Sequence, residues 1–230
     1  APETFTQRQV FALIIITIFF ILNMFNIKIT GTAQTILSIL KVVPLVLVGL
    51  VGFAFINPDN FHPFWKSGVE WINPSTPTGM ITLFLASALI ASWSTLATDI
   101  FAAAVPEMKD PAKNLKKAVI AITLIPALYI LAITVPTVGV LGEGVATLPR
   151  PLLVFGEHVM GFAGSALMFF ALIAGVLGAV NASLLASARV LYQMAEDGLL
   201  PKVLAKLNKY RVPYIGLVAT YILNVALVLY

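Results

Sequence analysis

The chain has 230 residues, of which 60% are hydrophobic and only 10% are charged. Soluble domains carry about 25% charged residues, so this composition excludes an ordinary soluble fold. The sequence contains no cysteine, which excludes disulfide frameworks, thiolate catalysis and cysteine-ligated metals within it. The net charge is +4, and its meaning depends on where the basic residues lie relative to a membrane.

Six apolar segments follow one another along the chain. We predict membrane spans at about 9–27, 32–57, 78–105, 118–141, 161–196 and 213–230. Each span must be helical, because lipid offers no partner to bare backbone groups and the runs are too long for barrel strands. The sequence therefore predicts an all-α polytopic membrane protein, with residues 1–230 forming a single transmembrane domain that crosses the cell membrane several times.

The basic residues predict the orientation of these spans. Alternate connections carry Lys28, Lys109, Lys113, Lys116, Lys117, Lys202, Lys206, Lys209 and Arg211, against Arg8, Lys66 and Arg150 on the other side. The side with more basic residues is expected in the cytoplasm, which leaves the N-terminus outside. An outside N-terminus without a signal peptide suggests preceding spans, so we interpret the chain as an internal portion of a longer protein.

Lys41 is the one charged residue in the second span. It lies about ten residues, or roughly 15 Å of helix, from the cytoplasmic start of that span. A lysine at the membrane centre costs roughly 2.5–3.5 kcal/mol on insertion scales. Neighbouring carbonyl groups can satisfy such a lysine in a purely structural role. We favour an ammonium group that faces an internal cavity, where it loads and releases a proton.

The third span holds a second charge and several hydroxyl groups. Asp99 lies in apolar sequence, where it fits either a structural hydrogen-bond anchor or a proton or gating role. The hydroxyl residues between 92 and 98 either bond back to helix carbonyls or satisfy the backbone of a broken helix at a midplane site. Trp93, within this patch, is suited to covering a substrate or binding a cation.

The fifth span combines small and polar residues, namely Gly175, Gly178, Asn181, Ser183 and Ser187. Small residues in membrane helices more often indicate close packing than ligand binding. Elsewhere the chain has no phosphate-binding loop and no cluster of metal ligands, and its basic residues follow the cytoplasmic rule. We therefore expect no enzyme activity, no cofactor, no metal and no nucleic-acid partner.

Several motifs resemble the amino acid–polyamine–organocation (APC) transporters. Residues 93–99, Trp-Ser-Thr-Leu-Ala-Thr-Asp, and 106–114, Pro-Glu-Met-Lys-Asp-Pro-Ala-Lys-Asn, are similar to that family's sixth helix and following loop. Residues 187–201, from Ser-Ala-Arg-Val-Leu-Tyr to Asp-Gly-Leu-Leu-Pro, followed by Asn208-Lys209 and Val212-Pro213, resemble the end of its eighth helix and the next loop. Residues 30–41 resemble the start and middle of its fifth helix.

The resemblance implies helices four to nine of a leucine-transporter-like fold, which has two inverted repeats of five helices. The first three and the last helices of the family would then be missing. By position, the resemblance assigns Trp93, Ser94 and Ala97 to the substrate site and its gate. It assigns Lys41 and Asp99 to proton coupling and places Ser183 or Ser187 near the lysine. Ala97 departs from the family pattern, which usually has glycine there.

The function implied is secondary active transport of amino acids, by proton-coupled symport with alternating access. One alternative is an amino acid or polyamine exchanger of the same fold, without proton coupling. Another is a membrane-embedded sensor or structural fragment that does not transport. The expected partners are an amino acid substrate, protons, the lipid bilayer and the missing helices of the parent chain.

Overall fold

A computed structural model of the chain describes residues 6–25, 27–62, 72–92 and 110–230. These residues form six long helices: α1 (Gln7–Met24), α2 (Ile27–Gly52), α3 (Pro77–Ser92), α4 (Pro111–Leu141), α5 (Pro151–Glu196) and α6 (Tyr214–Leu229). Short helical turns lie at Phe53–Phe55, Pro58–Phe61, Gly144–Thr147 and Lys202–Ala205. No strand occurs in the described ranges. The predicted all-α fold class is confirmed.

Four helical segments are long and apolar enough to cross a membrane: Gln7–Met24, Ile29–Phe55, Lys113–Leu141 and Pro151–Glu196. The apolar helices at Pro77–Leu89 and Tyr214–Leu229 are shorter. Large apolar side chains lie on the outside of these helices, and Leu89 and Phe162 are 74% and 88% exposed. Such surfaces are favourable in lipid and costly in water. The chain is a polytopic membrane protein, as predicted.

The helix ends follow local chemistry. At the start of α1, the side chain of Gln9 accepts a hydrogen bond from the Thr6 N–H at 3.0 Å. Helices α4 and α5 both begin with proline, which has no N–H to leave unpaired at a helix start. Helix α4 ends at Gly142, whose φ of 55° is easily adopted only by glycine. These local interactions fix the starts of α1, α4 and α5 and the end of α4.

Helix α5 contains a sharp break at Met160 and Gly161. Gly161 has φ 61° and ψ −148°, a conformation that is essentially restricted to glycine. The two arms of the helix meet beyond the break, where a Cβ on Gly164 would overlap the carbonyl oxygen of Gly156. The short arm, 151–160, therefore folds back against the start of the long arm.

The chain divides into two compact units, residues 1–41 with 172–230, and residues 42–171. In the first unit, the buried core consists of Phe19, Leu184, Ala188, Val212 and Leu217. Helices α1 and α6 pack together there. The Thr17 and Tyr221 hydroxyls lie 2.9 Å apart, and the Phe20 and Tyr221 rings stack at 4.3 Å.

The second unit has its own buried core, formed by Leu45, Val48, Ile133, Phe155, Val159, Met168 and Ala171. Helices α2 and α4 approach closely in this core, because Gly49 lies directly against the backbone of Ala132. The turn at Pro58–Phe61 closes the end of α4. In that turn, Asn60 donates hydrogen bonds from Nδ2 to the carbonyl oxygens of Gly139 and Val140, at 2.8 and 3.3 Å.

Candidate functional site

Lys41 lies near the middle of α2 and is half-buried. Its aliphatic stem packs against α5 at Gly175, where an added Cβ would lie 3.2 Å from Lys41 Cδ and 3.6 Å from Cγ. The stem occupies the space that a larger residue at position 175 would fill. A membrane lysine of this kind keeps its charged end where polar partners can reach it.

The contacts along α2 show how it crosses α5. Lys41 faces Gly175, Leu37 faces Gly178, and Gln34 is hydrogen-bonded to Asn181. Residue numbers fall along α2 as they rise along α5, so the two helices run antiparallel here. The side of α5 that faces this part of α2 is smooth, because two of its contact residues are glycines.

A chain of three carboxamides joins helices α1, α5 and α2. Asn23 Nδ2 donates to Asn181 Oδ1 at 2.9 Å, and Asn181 Nδ2 donates to Gln34 Oε1 at 2.8 Å. Asn23 and Asn181 are fully buried, with 1% and 0% exposure. Amides inside a membrane helix bundle need such partners, because lipid supplies none. The sequence does not predict these hydrogen bonds between carboxamides. The available signal was the two-turn spacing of Gln34 and Lys41, which places both on one face of α2.

Ser183 and Ser187 lie further along α5. Ser183 is exposed and Ser187 is half-buried. They follow Gly175 by eight and twelve residues, which is roughly 12 and 18 Å along a helix. The Lys41 stem lies against Gly175, so these distances along α5 separate both serines from that contact. Both serines lie instead on the side of Asn181 that leads towards the loop after α5.

The remaining predicted site residues, Trp93, Ser94, Ala97 and Asp99, lie outside the described residues. The described part of the third span ends at Ser92, the last residue of α3. The assignment of Trp93, Ser94 and Ala97 to the substrate site, and of Asp99 to proton coupling, therefore stays a prediction. Among the predicted site residues, the structure describes Lys41, Ser183 and Ser187.

The loop after α5 is held to α1 by Asn208. Its Nδ2 donates to the carbonyl oxygen of Met24 at 2.8 Å, while its Oδ1 accepts hydrogen bonds from the N–H groups of Tyr210 and Val212 at 2.8 and 3.0 Å. This loop belongs to the second motif found in the sequence. Asn208 therefore shapes the turn that leads into α6 and ties it to the end of α1.

Comparison with known proteins identifies relatives that are membrane permeases. The family model described as amino acid permease matches residues 2–230. The lysine-specific permease LysP of Lactococcus lactis is 27% identical over 227 residues, which cover 92% of this chain and 44% of LysP. The gamma-aminobutyric acid permease of Bacillus subtilis is 28% identical over 222 residues, covering 95% of this chain and 47% of that protein.

The branched-chain amino acid permease BcaP of Lactococcus lactis is 29% identical over 191 residues, or 81% of this chain and 39% of BcaP. The chain thus spans less than half the length of each of these three relatives. Together with the apolar helices, the matches identify a multi-pass protein of the cell membrane. Because the family match extends over nearly every residue, the chain belongs to the amino acid permease family.

Proposed function

We propose that this chain forms the central part of a secondary transporter that carries amino acids across the cell membrane with protons, by alternating access. The observation that carries the proposal is Lys41, a lysine in the middle of a membrane helix of an amino acid permease. An ionisable residue at such a position is costly to insert, and it commonly marks an ion or proton pathway. In this role the protein moves its substrate without chemical change and is not an enzyme.

The proposal includes a leucine-transporter-like fold, with this chain as helices four to nine. Residues 93–99 and 106–114 support it through their resemblance to the sixth helix and its loop. Within that proposal, Trp93, Ser94 and Ala97 contribute to the substrate site and its gate, and Asp99 assists proton coupling. The assignment of Ser183 or Ser187 near the lysine is supported by the resemblance to the eighth helix of the family.

The relatives support amino acids as the substrate class, but they do not indicate which side chain is selected. Relatives of similar identity are described as permeases for lysine, for branched-chain amino acids and for gamma-aminobutyric acid. All these substrates carry an amino group and a carboxylate, but they differ in side chain or, for gamma-aminobutyric acid, in the spacing of the two groups. We therefore propose an amino acid as the substrate and leave its side chain open.

The test is uptake of labelled amino acids into proteoliposomes that contain the full-length gene product. Accumulation is measured with the interior alkaline, and exchange is measured without a pH gradient. We expect Lys41→Met to lose accumulation driven by the gradient while it retains exchange, because substrate binding does not require the proton. Lys206→Met is the matched control, since Lys206 is an exposed lysine in the loop after α5.

Three outcomes would contradict the proposal. Accumulation that survives in Lys41→Met would show that this lysine does not couple protons to transport. Exchange that ignores the pH gradient in the unmodified protein would favour an exchanger, in which Lys41 is structural. Binding of amino acids without flux in either assay would instead indicate a sensor.

A further inference from the structure

The amide chain of the first unit has a fixed direction. Asn23 Nδ2 donates to the carbonyl oxygen of Phe19 at 2.8 Å as well as to Asn181 Oδ1 at 2.9 Å. Rotating the Asn23 amide by 180° would place its Oδ1 against the Phe19 carbonyl oxygen, which favours Asn23 as the donor even though its own Oδ1 then has no partner among the described residues. Asn181 then has its Nδ2 free to donate, and Gln34 Oε1 accepts that bond at 2.8 Å. The row of hydrogen-bonded amides therefore ends on α2 at Gln34, whose Oε1 acts as an acceptor.

Leu37 packs against the apolar core of the first unit, but the α5 residues directly opposite Leu37 and Lys41 are glycines. A Cβ added to Gly178 would lie 3.6 Å from Leu37 Cβ, which is an ordinary contact. Glycines have no side chain to form a ridge, and interlocking side chains are what normally fix the register of a helix pair. The hydrogen bond between Asn181 and Gln34 is a directional contact that the described residues make on this surface.

We propose that Gln34 and Asn181 are positioning residues that set the register of α2 against α5 and so hold Lys41 opposite Gly175. Gln34 and Lys41 are two helical turns apart on the same face of α2, so fixing one along the helix axis fixes the other. The consequence for transport rests on the proposed function, because it requires Lys41 to be the coupling residue. The register itself can be measured without transport.

A disulfide can report the register. In the double variant Leu37→Cys/Gly178→Cys the two Cβ atoms would lie about 3.6 Å apart, within the range of about 3.5–4.5 Å found in disulfides. Residues 1–230 contain no native cysteine that could compete with this pair. The full-length protein carrying this pair is oxidised in native membranes, and the rate of disulfide formation is followed by mass spectrometry of the linked peptides.

Gln34→Met removes the acceptor and keeps the size of the side chain. We expect it to slow disulfide formation roughly three- to eighteenfold, the change that corresponds to losing one interhelical hydrogen bond in a membrane. Asn181→Leu, which breaks the same bond from the other helix, should slow it at least as much. It serves as the second variant in case Gln34→Met is not inserted.

Two further variants separate positioning from a general loss of structure. Gln34→Glu keeps an acceptor oxygen for Asn181 and is expected to restore the rate of the parent pair. Thr35→Val is the matched control, because Thr35 is exposed and its hydroxyl bonds within its own helix, to the Gly31 carbonyl oxygen at 2.9 Å. It should leave the rate unchanged. Disulfide formation at the parent rate in both Gln34→Met and Asn181→Leu would overturn the proposal.

Uptake assays on the same variants distinguish this proposal from the proposed function. Slower disulfide formation in Gln34→Met, together with weaker accumulation driven by the pH gradient, supports both. Slower disulfide formation with full accumulation would overturn the link between the register and Lys41. A parent protein that shows no uptake at all would contradict the proposed function, while the comparison of disulfide rates would still decide whether Gln34 and Asn181 set the register.

Discussion

The close approach of α2 and α4 at Gly49 leads to a prediction about stability. A Cβ at this position would overlap the carbonyl oxygen of Ala132 and lie 3.1 Å from its carbonyl carbon and 3.5 Å from Ile133 Cα. All three atoms belong to the backbone of α4, so no change of rotamer can make room. In Gly49→Ala the two helices must therefore separate, within a core that contains Val48 and Ile133.

The size of the effect follows from a comparison with Gly31, in the same helix. A Cβ at Gly31 meets nothing within 4 Å. Both substitutions gain about 1 kcal/mol of helix propensity, and this gain cancels between them. The difference is then the cost of overpacking, which is about 1–3 kcal/mol. For a protein of this size, such a difference lowers the apparent Tm by about 2–12 °C.

The assay is thermal unfolding of the purified protein in detergent, followed by size-exclusion chromatography of the material that stays folded. We expect Gly31→Ala to match or exceed the stability of the unmodified protein and Gly49→Ala to fall below Gly31→Ala. Equal Tm values for the two variants would refute the reasoning. They would mean that the α2–α4 contact yields without cost.

Three other predictions concern turns and the lysine contact. Gly161→Ala should cost about 1–3 kcal/mol through backbone strain alone, since no atom lies within 4 Å of the added Cβ; an unchanged Tm would contradict this. Asn60→Ala should cost about 0.5–1.5 kcal/mol and speed hydrogen exchange at the end of α4, and unaltered exchange there would show that its two bonds are dispensable. Gly175→Ala crowds Lys41 Cδ at 3.2 Å, whereas Gly178→Ala makes contacts of 3.6 Å or more. Gly175→Ala should therefore be less stable by about 0.5–1.5 kcal/mol, and equal Tm values would show that the lysine stem moves freely.

The sequence predicted the features that depend on one segment at a time. A charge in an apolar run is visible without a structure, and Lys41 was identified in this way. The all-α class followed from the same reading, since long apolar runs in lipid must be helical. Neither prediction needed any knowledge of which helices are neighbours.

The features that the sequence did not predict depend on pairs of distant residues. Asn23 and Asn181 are 158 positions apart, and no local pattern relates them. The helical arm at 151–160 was also missed. It contains Glu157 and His158, so a search for charge-free runs places it outside the membrane spans. Its position against Gly164 depends on the break at Gly161, whose dihedral angles the sequence does not specify.

The energies of the contacts around α2 suggest how a proton at Lys41 would act on the helix. A charged lysine at the membrane centre costs roughly 2.5–3.5 kcal/mol, whereas an interhelical hydrogen bond such as that between Asn181 and Gln34 contributes about 0.6 kcal/mol and at most about 1.7. If Lys41 exchanges a proton as proposed, the cost carried by its charged form can therefore exceed the contribution of the bond that sets the register of α2. Asn23 and Asn181 are both fully buried and join α1 to α5, so that pair would persist while the half-buried Gln34 released its bond. A shift of α2 along the glycines of α5 is then the conformational change that protonation at Lys41 would control most directly.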